Sequence, residues 1–319
     1  MSDEANVAIA CQGGGSHTAF TAGVLSELLP AVDDRGDRLV GLSGTSGGAF
    51  AALAGWYGHL ADDTTAPDVL SNLWDELVAS GPADRAGNDA LVWTTRFENM
   101  GVPFPEVSPH QHPFTGWGQA RLRRTLESVV DFDALPGLAT AAAPELVVGT
   151  VDIEAGTFET FTNADVTPEA VLASAAVPAL FPAVEIDGDE HWDGLFSQNP
   201  PIRDLYHVPP ERKPDELWVV QINPQTREGE PTSMREIADR RNELAGNLSL
   251  NQELHTVEQI NEFVAAGYLP DDEFRHTEVR RIGFDGDLGY ASKLDRDPEF
   301  VDDLIEAGRV QARDFLDGL

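Results

Sequence analysis

Cysteine is almost absent from the 319 residues: Cys11 stands alone, so no disulfide framework and no cysteine-based metal site can form within one chain. Lysine is nearly absent too, with Lys213 and Lys293 the only two, and arginine supplies almost all the positive charge. Positive charge is itself scarce. Against 55 Asp and Glu stand 21 Lys and Arg, a formal net charge of -34, and such a surface repels nucleic acid. No apolar run is long enough to span a bilayer, and Met1-Ser2-Asp3-Glu4-Ala5-Asn6 is acidic where a signal peptide would be basic and then apolar. These absences point to a cytoplasmic protein. What is present is enough apolar material, 41% of residues, to fill a sizeable core, which excludes disorder over most of the length.

The order of elements is legible from local patterns. Val7-Ala8-Ile9-Ala10 is a short apolar run closed by Gly13-Gly14-Gly15, and residues 19–29 then carry apolar side chains at helical spacing. A second unit of the same kind follows at once: Leu39-Val40-Gly41-Leu42, the turn Gly44-Thr45-Ser46-Gly47-Gly48, and a small apolar stretch over 49–57. Two such units in succession predict a parallel sheet with right-handed crossovers. Residues 84–117 break the pattern with Gly, Pro, Asn and the aromatics Trp93, Phe97, Phe104, Phe114 and Trp117. They read as a loop-rich, lid-like insertion in a single domain spanning 1–319.

Further on, the spacing predicts a helix over 118–130, strands over 145–152 and 157–161 around a turn at Ala155-Gly156, and a short helix over 168–177. Val184-Glu185-Ile186, a turn at Asp187-Gly188 and Glu190-His191-Trp192 read as a hairpin that delivers Asp193. A strand over 217–222, a long helix over 234–265, a strand over 276–282 and a helix over 298–315 complete the chain.

Gly44-Thr45-Ser46-Gly47-Gly48 has the spacing G-x-S-x-G, in which flanking glycines let the chain turn sharply from strand to helix with the serine at the apex. Its hydroxyl then lies at a helix N-terminus, where free N–H groups favour developing negative charge. The turn Gly13-Gly14-Gly15-Ser16 after the first strand can present further backbone donors to an oxyanion. The rival reading of that turn is a phosphate cradle, but it lacks both the third glycine of the dinucleotide fingerprint and the lysine of a P-loop. A nucleophilic serine needs a base, and the candidate is Asp193 in His191-Trp192-Asp193-Gly194-Leu195, although Asp-Gly at a strand end is also a common turn.

Taken together, Gly13-Gly14-Gly15, Gly44-Thr45-Ser46-Gly47-Gly48 and Asp193-Gly194, in that order, resemble the patatin-like phospholipase family. Leu172-Ala173-Ser174-Ala175-Ala176-Val177-Pro178-Ala179-Leu180-Phe181-Pro182 and Asn199-Pro200-Pro201 add to the likeness, which covers roughly 7–223. The resemblance implies a three-layer α/β/α fold with a mainly parallel central sheet. It implies a Ser-Asp dyad in which Ser46 attacks an ester carbonyl, Asp193 takes its proton, and the Gly13, Gly14, Gly15 and Ser16 region holds the oxyanion, with Gly44, Gly48 and Gly194 shaping the turns and no cofactor or metal. Two departures stand out: His17 and Thr18 where the family's glycine loop continues with a basic residue and another glycine, and Leu195 where Gly or Ala usually follows Asp-Gly.

A Ser, acid, His triad remains open on chain order, since His207, His255 and His276 all follow Asp193, but the nucleophile after only the second strand argues against the usual triad sheet. His110-Gln111-His112 lacks a third metal ligand and reads as loop surface. The implied substrates are lipid esters, among them phospholipids, or a stored polyhydroxyalkanoate polyester, with peripheral contact to a membrane or storage granule. A non-catalytic lipid- or granule-binding protein on the same fold is the alternative from another class.

The acidic, lysine-poor composition also looks salt-adapted. Self-repulsion weakens when about 1 M salt shortens the screening length to roughly 3 Å. Thermal melts against KCl are therefore expected to rise steeply toward molar salt, with activity following; full activity in dilute buffer contradicts this.

Overall fold

In the computed structural model, residues 4–319 are described apart from 101, 103–107, 112–114, 179, 271, 285 and 287. The strands are β1 (Asn6–Cys11), β2 (Arg38–Gly44), β3 (Glu145–Asp152), β4 (Thr157–Thr162), β5 (Val184–Ile186), β6 (Asp189–Asp193), β7 (Glu216–Gln221) and β8 (Glu278–Gly283). The helices are α1 (Ala19–Asp34), α2 (Gly47–Leu60), α3 (Ala66–Leu77), α4 (Gly81–Asn99), α5 (Thr115–Val129), the single turn α6 (Leu135–Leu138), α7 (Pro168–Ser174), α8 (Met234–Ala265) and α9 (Pro298–Asp317).

The layering follows from alternation along the central strands. β1 is buried throughout; Val7, Ile9 and Cys11 enter one apolar core, and Ala8 and Ala10 enter another. β7 does the same, with Trp218 and Val220 on the first side and Leu217 and Val219 on the second. The first core is closed by α1, α2, α3 and α9, and the second by Leu250, Leu254 and Val257 of α8, so the fold is the expected α/β/α sandwich. β1 pairs in parallel with β2 and β7, β2 with β3, and β7 with β8, while β4, β5 and β6 join antiparallel.

The sharing of β3 positions the site. β4 pairs with β3 along 147–152 and occupies one edge, so β2 and β6 lie end to end on the other edge. Gly44 pairs with Val148 and Asp193 with Thr150, which leaves only Gly149 between the two strand ends.

The insertion expected to be loop-rich is instead mostly helical where it is described. Residues 84–99 complete α4, 115–117 begin α5, and Phe104 and Phe114 lie outside the described residues. Gly87 and Asn88 weaken a helix by only about 1 kcal/mol each, and tertiary contacts override that. Asn88 is buried, donates to Asp295 Oδ1 and accepts from the Arg296 N–H, both at 2.8 Å, and Asp84 is clamped by Arg121 at 2.6 Å and Arg296 at 2.7 Å.

Candidate active site

Ser46 lies where β2 gives way to α2, as the N-cap of that helix, with φ 56° and ψ -132°. Residues with side chains rarely take this conformation, and the surroundings must hold it. They do so with hydrogen bonds. The Ser46 N–H donates to Ser174 Oγ at 2.9 Å, the Ser174 hydroxyl donates to Gly149 O at 2.7 Å, and Thr45 Oγ1 donates to Gln198 O at 2.6 Å. The Ser46 side chain makes no capping bond, so its hydroxyl is left to the cavity it lines, at the positive end of α2.

The glycine loop closes against this turn. A methyl group on Gly13 would lie 2.4 Å from Thr45 O and 2.7 Å from Ser46 Cβ, and Gly15 has φ 61° with its methyl position 2.3 Å from Lys293 O, so neither tolerates a side chain. The Gly13 N–H, however, donates to Asn199 Oδ1 at 2.6 Å. This corrects the expectation that Gly13 helps hold an oxyanion: its donor already has a buried partner, and its role is to let the loop approach Ser46. Gly14 remains, together with Gly15 and Ser16, which open the 3₁₀ turn Gly15–Thr18 and carry N–H groups without partners inside it. Gly47, the first residue of α2, lines the same cavity and adds a donor that the sequence reading missed.

His17, which stands at the family's basic position, is buried with Nε2 2.8 Å from Ser292 Oγ. Burial, and then the Lys293 charge, lowers its pKa to about 3, so it is neutral and adds no positive charge to the loop.

Asp193 ends β6 completely buried. Its Oδ1 accepts the Leu195 N–H at 2.9 Å, while Oδ2 has no hydrogen-bond partner. The Ser46 hydroxyl is near enough to favour the ionised carboxylate without completing a hydrogen bond, the loose arrangement common before substrate binds. Burial dominates and raises the pKa from 3.8 to about 7, against the opposing pull of the Leu195 N–H and the Ser46 hydroxyl. A carboxyl poised there can take a proton and return it. Leu195, the departure after Asp-Gly, supplies that N–H and lines the cavity, so it fits the site.

Ser46, Asp193 and the glycine loop open into one cavity of about 520 Å³. Its apolar wall comes from Phe50, Trp74, Leu77, Leu122, Val177 and Phe181. Trp93, Phe97 and Trp117 of the 84–117 stretch do not line it and are exposed. None of His207, His255 and His276 lines the cavity; all three are exposed, with His207 and His255 paired to Asp204 and Glu258, so none of these three is placed to complete a triad with Ser46. Among the described residues no cluster of His, Cys, Asp or Glu is placed to hold a metal, and no helix is long and apolar enough to cross a membrane. His110 is exposed, and His112 lies outside the described residues.

Ser174 and Asn199 are the positioning residues whose roles the sequence did not reveal. Their only signal was membership of the small-residue stretch before Asp193 and of Asn199-Pro200-Pro201 after it. Asn199 is anchored in turn by its neighbours, because the Glu253 carboxylate accepts from Gln198 Nε2 at 2.7 Å and from the Ile202 N–H at 2.6 Å.

A strand-to-helix serine turn and a buried carboxyl, joined by a glycine loop over an apolar cavity in an α/β/α sandwich, define a protein of the lipid-hydrolase class. The chain belongs to the patatin-like phospholipase family, whose match covers residues 9–206. Membership of that family indicates an ester-hydrolysing enzyme in general. No curated protein matches the chain. Among solved structures it is similar to VipD from Legionella pneumophila, at 13% identity and TM-score 0.47 over 99% of this chain and 67% of that one. It is also similar to the type III effector ExoU, at 16% identity and TM-score 0.36 over 98% of this chain and 53% of that one. For the ExoU–SpcU complex of the Pseudomonas aeruginosa type III secretion system the identity is 13% and the TM-score 0.33 over 97% and 52%. The chain spans about half the length of the ExoU chains.

Because the folded state keeps the Asp193 proton that an unfolded chain releases near pH 4, ionising this group costs stability progressively between about pH 4 and pH 7. Asp193→Asn is expected to abolish hydrolysis and yet raise the stability at pH 8 by up to about 4 kcal/mol, with the gain vanishing below pH 4. The wild-type rate is expected to rise through a midpoint near pH 7. Chemical denaturation of both proteins across pH checks the first, and kcat/KM profiles the second.

Proposed function

We propose that the chain is a carboxylic ester hydrolase working through a Ser46–Asp193 dyad. The reading is supported above all by the juxtaposition of a strained, uncapped Ser46 and a fully buried Asp193 on one cavity. Ser46 Oγ bonds to the acyl carbon as its proton passes to Asp193, and the carbonyl oxygen becomes an anion facing the N–H groups of Gly14, Gly15, Ser16 and Gly47. The carbon–oxygen bond to the alcohol then breaks, and the departing oxygen takes the proton from Asp193. Water repeats the sequence on the acyl-enzyme and releases the carboxylic acid. Asp193 needs no histidine between itself and Ser46, since burial already brings its basicity to the neutral range.

The apolar wall suits an acyl chain. The packed helices α4 and α8 each contribute to the cavity lining and carry exposed apolar side chains: Trp93 and Phe97 on α4, Met100 just after it, and Ile237, Leu244 and Leu248 on α8. Such a surface favours docking on an uncharged lipid or polyester phase, while a net charge of -34 opposes an anionic bilayer. Lipid esters and stored polyhydroxyalkanoate are both substrates of this description.

Fluorophosphonate labelling tests the proposal. Ser46→Ala is expected to lose the label and at least ~10⁴-fold of kcat, and Asp193→Asn to label far more slowly. Replacement of His207, His255 or His276 leaves labelling unchanged. A protein that never labels is a lipid or granule binder. Rates on p-nitrophenyl esters, phospholipid vesicles and native polyester granules then rank the substrates.

A further inference from the structure

The loop that follows Asp193 touches every part of the site. The Gln198 N–H donates to Gly194 O at 3.1 Å, and Gln198 O accepts the Thr45 hydroxyl at 2.6 Å. The Asn199 amide grips Gly13 twice, accepting its N–H at 2.6 Å and donating to its carbonyl at 3.5 Å, and Asn223 Nδ2 donates to the same carbonyl at 3.2 Å. That carbonyl and the Gly14 N–H belong to one planar trans peptide, so holding the first toward the two asparagines turns the second the opposite way. Gly14 lines the cavity together with Ser46. The direction of a donor beside the serine is therefore set through Asn199.

Asn199 is held in turn from α8. Gly246, Ser249 and Glu253 are spaced i, i+3 and i+7, on one face of that helix, and each meets the loop. A methyl group on Gly246 would lie 2.9 Å from Asn199 Nδ2, and Ser249 Oγ donates to Ser197 O. The Glu253 carboxylate takes three donors: Gln198 Nε2 at 2.7 Å, the Ile202 N–H at 2.6 Å and the Arg203 N–H at 3.1 Å. These donors lie on both sides of Asn199, and bonds to an ionised acceptor are the strong ones. α8 lies wholly beyond residues 9–206, the stretch that matches the family. We infer that Glu253 is a positioning residue for hydrolysis: its carboxylate fixes residues 198–203 and, through Asn199 and Gly13, aims the Gly14 N–H at the oxyanion. This rests on the Ser46–Asp193 reading for the chemistry that the donor serves.

Two readouts test this: kinetics on p-nitrophenyl butyrate, and hydrogen exchange at the Gly13 amide in protein carrying isotopically labelled glycine. Glu253→Ala is expected to lower kcat at least about tenfold per site titrated with fluorophosphonate, while KM stays within about twofold. An alkyl trifluoromethyl ketone, whose adduct with Ser46 carries the oxyanion, is expected to bind more weakly by a similar factor, and the Gly13 amide to exchange at least about tenfold faster. Glu253→Gln keeps one oxygen for the two main-chain N–H groups and offers an NH₂ to Gln198 Oε1, which has no partner and can turn to accept it. It is expected to bring kcat and exchange back to within about threefold of the wild type. A purely structural role lowers the titratable fraction but leaves kcat per site and the ketone affinity alone, and that result, or Gly13 exchange unmoved in Glu253→Ala, overturns the inference. If even the wild type neither hydrolyses nor labels, exchange that still depends on Glu253 supports the hold on the glycine loop and counts against the dyad.

Discussion

Gly149 is the single residue of β3 between the position that pairs with Gly44 and the position that pairs with Asp193. With β4 filling the opposite edge, the parallel β2 and the antiparallel β6 can run only end to end, so their C-termini point at one another across one residue. The rest of the site depends on this meeting. β2 must leave the sheet at Gly44, and the chain bends away through Thr45 into a serine whose backbone has almost no freedom left. Ser174 bridges the Gly149 carbonyl to the Ser46 N–H. Asp193, arriving from the other direction, is sealed in because the sheet edge that would have exposed it is already occupied.

Burial then acts as the chemical control. In a chain carrying -34 a carboxylate has no shortage of like-charged neighbours, yet desolvation leads the causes that move Asp193, and two weak donors oppose it. The same effect removes His17 as a cation. Positive potential near the glycine loop therefore comes from helix and turn N-termini and from Lys293, one of only two lysines in the chain. Two walls of opposite character meet at Ser46, an apolar one from α2, α3 and α5 and a polar one from α8 and the Tyr290–Leu294 turn.

Much of this was legible in sequence because it is local. The hairpin that carries Asp193, the two strand–turn–helix units and the 234–265 helix rest on periodicity and turn residues, and the structure places them where those patterns put them. α3 and α4 escaped because their stability is tertiary: Asn88 reads as a helix breaker until Asp295 and Arg296, more than 200 residues away, satisfy it. The commitment of the Gly13 N–H to Asn199 is equally non-local, and no spacing rule announces it. The aromatics of α4 were visible in the sequence, but the helix turns Trp93 and Phe97 outward, and the acyl-sized wall comes instead from α2, α3, α5 and the segment after α7.

The central claim is that Ser46, Asp193 and the donors of Gly14, Gly15, Ser16 and Gly47 converge on one reacting carbon. A crystal structure of the phosphonylated protein tests it most directly. The account predicts phosphorus bonded to Ser46 Oγ, the phosphoryl oxygen within hydrogen-bond distance of those N–H groups, the Gly13 N–H still on Asn199, and Asp193 facing the serine oxygen with no histidine between. A phosphoryl oxygen directed away from the glycine loop, or a histidine interposed beside Ser46, would contradict it.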